Sequence, residues 1–328
     1  MVRIAIVGAG GISHRHIEAL LRCDKAKIVG IIDINRENAQ KRAAMCGASV
    51  FDHLEDCLDL VDAVYVLTPP STHCGIAVTA MNAGKHVFIE KPISSTIEDA
   101  QTICETAIRC QVQCMVGFNM RFRVGYGKLH DFVQSGMAGT LTTYWCQRHG
   151  LRVDPNNKWS TDPLLMTGMT IESLSHDIDA MRWIAGEAGM VTAFVQESRP
   201  ELPGFDDNCN AIFRLNNGAT ANFQSSWSSH TGFNSRGVLG TLGTAYISGP
   251  NLWNMDMFHW KTKDMPYECM ERIDDIHDVR SFVEEGRYFV SCLEEGKPVS
   301  VTCEDGLKAL RVSYAMLESN KTNTVVKL

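Results

Sequence analysis

The 328-residue chain has no block of basic residues, no Cys-x-x-Cys pair and no apolar run approaching a membrane span. Each shortage excludes a class. A formal net charge of -7 with no basic patch to offset it argues against a nucleic-acid binder. The twelve cysteines fall at irregular spacings, the nearest pairs being Cys104/Cys110 and Cys110/Cys114. That pattern fits neither a zinc site nor a secreted disulfide framework. The thiols read instead as reduced, mostly buried small apolar groups of a cytosolic protein. The first apolar run, Ile4–Val7, is too short for a signal-peptide core, and no cleavage site follows it. A membrane-crossing helix needs about 20 apolar residues, which no segment supplies.

What is present is length and alternation. A chain this long, 45% hydrophobic, allows two domains with ample core. Residues 3–7 read as a buried strand, followed by Gly8-Ala9-Gly10-Gly11-Ile12-Ser13 and a helix from about Ser13 to Cys23. Gly8 permits a tight turn, Gly10 lets the backbone approach a pyrophosphate, and the helix N-terminus offers it free N–H groups. The third glycine of the full fingerprint is replaced by Ser13. The next strand, 27–33, ends in Asp33, where a dinucleotide fold places a carboxylate for the ribose 2′-hydroxyl. That charge repels a 2′-phosphate and favours NAD over NADP, although Arg36 lies close enough to blur the preference. The competing reading makes Asp33 only the cap of the helix at 36–46.

Strand–helix alternation continues through 61–67, a helix ending at Ala83, a strand at 86–90, a helix from about Ser95 to Arg109, and a strand at 114–118. It implies a parallel, doubly wound sheet, with the loops after its strands sharing one rim. Gly8, Asp33, Thr68, Lys91 and Asn119 then fall along that rim. Val87-Phe88-Ile89-Glu90-Lys91-Pro92 is the most pointed of these stretches. Pro92 keeps Lys91 out of the helical region, so a lysine is held extended at a strand end.

After about residue 122 the pattern changes. A helix from about Val124 to Ser135 is followed by alternating stretches at 141–148, 190–196, 208–215, 219–227, 237–248 and 251–259. These predict a mostly antiparallel sheet in an α+β domain. Thr231–Gly243, rich in Gly, Ser and Asn, reads as a connection, and 274–294 and 304–319 read as helices. Within this half, Ile171, Leu174, Ile178 and Met181 form one apolar helix face, and Glu172, His176, Asp179 and Trp183 a second stripe. Asp177 points nearer the apolar side. A solvated polar face with an ordinary ion pair is the plain explanation of that stripe.

Five stretches together resemble the Gfo/Idh/MocA oxidoreductase family. They are the glycine run 8–13, Thr68-Pro69-Pro70-x-x-His73, Gly84–Pro92, Gly117-Phe118-Asn119-x-Arg121-Phe122 and Ser175-His176-Asp177-Ile178-Asp179, in family order over nearly the whole chain. The resemblance implies an α/β Rossmann domain over 1–122. It implies an α+β domain over 123–328 that binds substrate and pairs subunits through a large open sheet, as a homodimer or homotetramer, its last helix packing back toward the first domain. It implies NAD(P)-dependent hydride transfer with a sugar, cyclitol or related polyol. The rivals on this fold are NAD-dependent glycoside cleavage and a non-catalytic dinucleotide-binding regulator.

The resemblance places Lys91, His176 and Glu172 as the catalytic group, with a peptide before Pro92 that is often cis in such proteins. Inositol-type relatives carry Asp where this chain has Glu172. Either His176 takes the hydroxyl proton while Lys91 holds the oxygen, or Lys91 is itself the acceptor. Gly8, Gly10, Gly11, Ile12, Asp33, Arg36, Thr68, Pro69, His73, Glu90, Lys91 and Asn119 are the expected cofactor residues. Arg121 and Trp159 join Lys91 and His176 as candidates for the substrate, Arg121 and Asn119 having a purely structural reading as well. No metal is expected, and the location is expected to be cytoplasmic.

Overall fold

The computed structural model describes residues 1–152, 168–199, 204–251, 253–275 and 278–328. The chain divides into two compact units, Met1–Phe122 with Asp278–Leu310, and Arg123–His277 with Arg311–Leu328.

The first unit is a parallel α/β layer. Its strands are β1 (Val2–Val7), β2 (Ala26–Ile32), β3 (Ser49–Phe51), β4 (Ala63–Val66), β5 (His86–Ile89) and β6 (Cys114–Val116). They lie in the order β3-β2-β1-β4-β5-β6. Every pairing is parallel. The order reverses between β1 and β4, the switch point outside which such sheets bind ligands. Helices α1 (Gly11–Leu20), α2 (Arg36–Cys46), α3 (His73–Asn82) and α4 (Ile97–Cys110) follow β1, β2, β4 and β5. β4 is buried at every position, as a strand covered on both faces must be. Tyr65 of β4 and Phe88 of β5 stack at 4.5 Å inside this core.

The second unit contains α5 (Val124–Gln134), β7 (Leu141–Leu151), α6 (Gly168–Glu172) and α7 (Leu174–Ala185). Strands β8 (Ala188–Gln196), β9 (Asn208–Leu215), β10 (Thr220–Ser226), β11 (Ser228–Gly240), β12 (Gly243–Gly249), β13 (Met255–Thr262) and β14 (Cys269–Asp275) follow. With β15 (Val326–Lys327) they form a nine-stranded sheet, β14-β13-β12-β11-β7-β10-β9-β8-β15. All its pairings are antiparallel except β10 with β7. Helix α8 (Arg280–Glu295) belongs to the first unit, and α9 (Cys303–Thr322) runs from the first into the second.

Three expectations are corrected here. The stretch 237–248 is two strands, the end of β11 and β12, joined at Thr241-Leu242. Thr231–Gly243 is mostly strand rather than connection, because its small residues make room for large neighbours. A Cβ on Gly237 would lie 2.3 Å from the Trp145 ring. The helix expected from 274 starts only at Arg280, since residues 269–275 pair with β13.

Candidate active site

The first unit builds a dinucleotide cradle at the switch point. Gly8 has φ +103°, and a Cβ there would lie 2.5 Å from the Leu67 carbonyl oxygen. Only glycine permits β1 to turn that closely beside β4. Gly10 caps α1 without a side-chain hydrogen bond, and a Cβ on Gly10 or Gly11 would meet nothing within 4 Å. The first turn of α1 therefore keeps its N–H groups open to an anion. Ser13, in place of the third glycine, is buried and donates to the Gly10 carbonyl at 2.6 Å. Arg42 of α2, which no motif singled out, donates to Ser13 Oγ and to the Gly10 carbonyl, both at 3.0 Å. Ile12 sits half-buried beside the apolar contact of Ala19, Phe282 and Val283.

Asp33 Oδ2 accepts the Ala9 N–H at 2.6 Å, tying the glycine turn to the end of β2. Asp33 is not the cap of α2. Asn35 is, accepting from the N–H groups of Glu37 and Asn38 at 3.0 and 3.2 Å. Arg36 is exposed and paired with Asp52.

Behind the rim, several of the expected cofactor residues make contacts between loops and strands of the first unit. His73 is completely buried. Its Nε2 lies 2.8 Å from the Thr68 carbonyl oxygen and its Nδ1 3.1 Å from that of Pro92. It thus lies between the loop after β4 and the loop after β5. Burial pushes its imidazole toward the neutral form, against the pull of those carbonyls. Pro69 precedes the turn that leads into α3, where the Thr72 hydroxyl donates to Thr68 Oγ1 at 2.8 Å.

Glu90 turns inward. Its Oε1 is 2.8 Å from His16 Nε2, and its Oε2 accepts the Lys91 N–H at 2.9 Å. Gly117 leaves space for it, since a Cβ there would lie 3.3 Å from the Glu90 carboxyl. Lys91 follows β5 on the rim, half-buried, and the Lys91–Pro92 peptide is cis. Asn119 donates to Ser281 Oγ at 3.4 Å. Arg121 does not project as a free substrate ligand: its guanidinium lies 3.3 Å from Asp305 and donates to the Ser300 carbonyl.

In the second unit, Ser173 breaks the helix into α6 and α7. Gly168 (φ +81°) opens α6, and Asp206 accepts from the Thr170 N–H at 2.8 Å and its hydroxyl at 2.6 Å. Burial pushes the Asp206 carboxyl up to about 6 despite those bonds. Glu172 ends α6 and accepts from Arg152 Nη1 at 3.1 Å. The Arg152 guanidinium lies over the Trp227 ring at 4.4 Å and the Trp253 ring at 5.1 Å.

The polar stripe is not a solvated face: two of its four residues are buried and two are half-buried. Glu172 and Asp179 are enclosed, and within α7 only His176 and Trp183 stay partly open, two turns apart on one side. Trp183 stacks on His130 at 4.1 Å. Asp177 is enclosed between Arg148 Nη1 at 3.0 Å and Arg236 Nε at 2.9 Å. Burial drives its carboxyl up, and the Arg236 and Arg148 charges outweigh that, leaving it below the usual carboxylate range. Neither arginine was legible as a site residue, although Arg148 on the inward face of β7 was a signal. Trp159 lies outside the described residues.

Two family models cover most of the chain. Residues 2–118 match the oxidoreductase family with an NAD-binding Rossmann fold, and residues 126–246 match the C-terminal domain of the same family. The chain belongs to the Gfo/Idh/MocA oxidoreductase family. Among Gfo/Idh/MocA relatives, it is 30% identical over 259 residues to 4-carboxy-2-hydroxymuconate-6-semialdehyde dehydrogenase of a Sphingobium species, covering 77% of this chain and 78% of the relative. It is 27% identical over 345 residues to myo-inositol 2-dehydrogenase of Thermotoga maritima, covering 100% and 98%. In fold it matches the aldose-aldose oxidoreductase of Caulobacter crescentus with a TM-score of 0.87 at 24% identity, over 100% of this chain and 99% of that one.

The Gfo/Idh/MocA cofactor is NAD, and the cradle fits it. The unobstructed Gly10 and Gly11 and the uncapped turn of α1 suit a pyrophosphate. Among the described residues no cluster of His, Cys, Asp and Glu could hold a metal ion, and no helix is long and apolar enough to cross a membrane.

Proposed function

We propose that this oxidoreductase oxidises a hydroxyl-bearing carbon of a sugar, cyclitol or related polyol, or reduces the matching ketone. The observation that carries the reading is Lys91, held on the ligand-binding rim of an NAD-type sheet by the Glu90 carboxylate that accepts its N–H at 2.9 Å. NAD supplies the hydride acceptor when bound. His176 takes the hydroxyl proton, because imidazole titrates near neutrality and it is the partly open titratable side chain of α7. Lys91 orients the reacting oxygen and stabilises its developing negative charge. Glu172, steadied by Arg152, is a positioning residue for His176. Gly8, Gly10, Gly11 and Asp33 hold the dinucleotide, and Asp33 favours NAD.

The names of relatives support the substrate class, since one acts on myo-inositol. A homo-oligomer joined through the nine-stranded sheet fits its outer face, where Phe194 is 63% and Ile212 55% exposed. A cytoplasmic location fits the twelve free thiols.

The test is NADH absorbance across a panel of polyols, aldoses and inositols. Steady-state NADH release without any glycoside supports a dehydrogenase. No signal from any of them, despite tight NAD binding, points to a regulator. His176→Ala should lower turnover roughly 10²–10⁴-fold while NAD affinity stays nearly intact, and near-wild-type turnover would remove His176 from its role.

A further inference from the structure

The glycine turn at 8–11 has no long side chain to hold it in place. Glycine loses more conformational freedom on folding than any other residue, so the order of Ala9-Gly10-Gly11 must come from outside. Two groups supply it. Asp33, at the end of β2, accepts the Ala9 N–H at 2.6 Å. Arg42, half-buried on α2, donates from Nη2 to the Gly10 carbonyl and from Nε to Ser13 Oγ, both at 3.0 Å. The Ser13 hydroxyl donates to the same Gly10 carbonyl at 2.6 Å. Guanidinium, hydroxyl and carbonyl thus close a ring, which a planar fork of donors can hold and a single ammonium cannot. Ser13 stands in place of the third glycine, and a glycine there would have no side chain to accept from Arg42.

The ring fixes more than a carbonyl. A trans peptide is planar, so its C=O and N–H point opposite ways. With the Gly10 carbonyl turned toward Arg42, the N–H of the same peptide, on Gly11, is turned away from Arg42. Gly11 is the first residue of α1, so that N–H has no acceptor within the helix. A Cβ on Gly10 or Gly11 would meet nothing within 4 Å, which leaves room for a ligand to approach the backbone. An ordinary ion pair does not explain Arg42. The acceptors of its guanidinium are the Gly10 carbonyl, Ser13 Oγ and Met45 Sδ, none of them charged.

We propose that Arg42 is a positioning residue for the dinucleotide: through Ser13 and the Gly10 carbonyl it aims the Gly11 N–H at the pyrophosphate. The inference rests on the proposed placement of the dinucleotide on the turn at 8–11, and not on the roles of Lys91 and His176 or on the substrate.

The experiment measures the affinity of the full chain for NAD, ADP-ribose and adenosine in the wild type, Arg42→Met, Arg42→Lys and Gly10→Ala, with a thermal melt of each. Calorimetry reads the first two ligands, and adenosine, which lacks the pyrophosphate, is read by competition against NADH fluorescence. Arg42→Met should weaken NAD and ADP-ribose together by roughly tenfold, the loss of one charge-assisted hydrogen bond, and leave adenosine unchanged. Arg42→Lys should recover only part of that loss, because it keeps the charge without the fork. If Arg42→Met does not fold, Arg42→Lys carries the test. Equal weakening of all three ligands, or a lower Tm with NAD affinity intact, would show a purely structural tie between α1 and α2 and overturn the proposal. Wild-type affinity in Arg42→Lys would overturn it too. Gly10→Ala separates the two readings. If it weakens NAD and Arg42→Met does not, Arg42 alone loses its role, whereas normal NAD binding by both variants removes the placement on the turn as well.

Discussion

His16 Nε2 of α1 lies 2.8 Å from Glu90 Oε1, and both side chains are buried beneath the strand end that presents Lys91. Phe88 and Phe282 meet the His16 ring edge-on, each at 5.2 Å. The acid of the Glu-Lys-Pro stretch thus braces the lysine from behind instead of facing the rim. His16→Ala should leave the buried Glu90 side chain without its partner, costing about 1–3 kcal/mol. Denaturant unfolding checks this, and a loss under 1 kcal/mol would show that the pair does not brace the strand.

Glu285 of α8 is fully buried, and both its carboxyl oxygens lack a hydrogen-bond partner. Burial, with the Glu90 charge, raises its carboxyl well above the usual carboxylate range. An acid whose folded pKa is raised contributes stability that is fully present below its unfolded pKa and is lost as pH rises toward the folded value. Tm should therefore fall with pH above about 4.5 in the wild type. Glu285→Gln should flatten that fall. Parallel curves for the two proteins would count against a protonated Glu285.

Asp206 makes a second, separable contribution of the same sign. Its carboxyl is pushed up to about 6 by burial. Stability from this group is present below its unfolded pKa, near 4, and is lost as pH climbs through 6. Asp206→Asn keeps an acceptor for Thr170 and should lose less stability than the wild type between pH 4 and 7, by roughly 1–3 kcal/mol. Chemical denaturation at the two pH values measures it.

Gly8 and Gly10 should respond differently to alanine. At Gly8 the positive φ and the Leu67 carbonyl oxygen at 2.5 Å from a Cβ make alanine a folding defect, about 2 kcal/mol or more. At Gly10 the Cβ meets nothing, so stability should change by less than about 1 kcal/mol while NAD binding weakens. Titration of NAD against each variant, with thermal melts, separates the two effects. A Gly10→Ala protein binding NAD normally would contradict the pyrophosphate placement.

Asp33→Ala should weaken NAD binding about tenfold or more and narrow its preference over NADP, since a charge-assisted bond is worth about 1.5–3 kcal/mol. Unchanged NAD affinity would leave Asp33 only its bond to Ala9.

Local pattern carried much of this protein. Apolar runs followed by glycine or proline located the parallel strands, because a strand buried on both faces has few alternatives. The stripe through His176 followed from helical period. The same period misplaced its surroundings: it takes one face of a helix as solvated, whereas α7 is enclosed nearly all round and Asp179 is buried. His73 and Arg121 fell at motif positions, yet the groups they meet, such as the Pro92 carbonyl and Asp305, come from other loops.

By itself the sequence determined the alternation of strands and helices in the first unit, the glycine turn at 8–11 and the lysine before Pro92, all consequences of neighbours a few residues apart. The tertiary structure decided where charge is buried. Asp177 meets Arg148 across 29 residues and Arg236 across 59, and Glu90 meets His16 across 74. A carboxylate tolerates burial only when a partner arrives, and which partner arrives depends on sheet register and helix packing, which are properties of the folded chain.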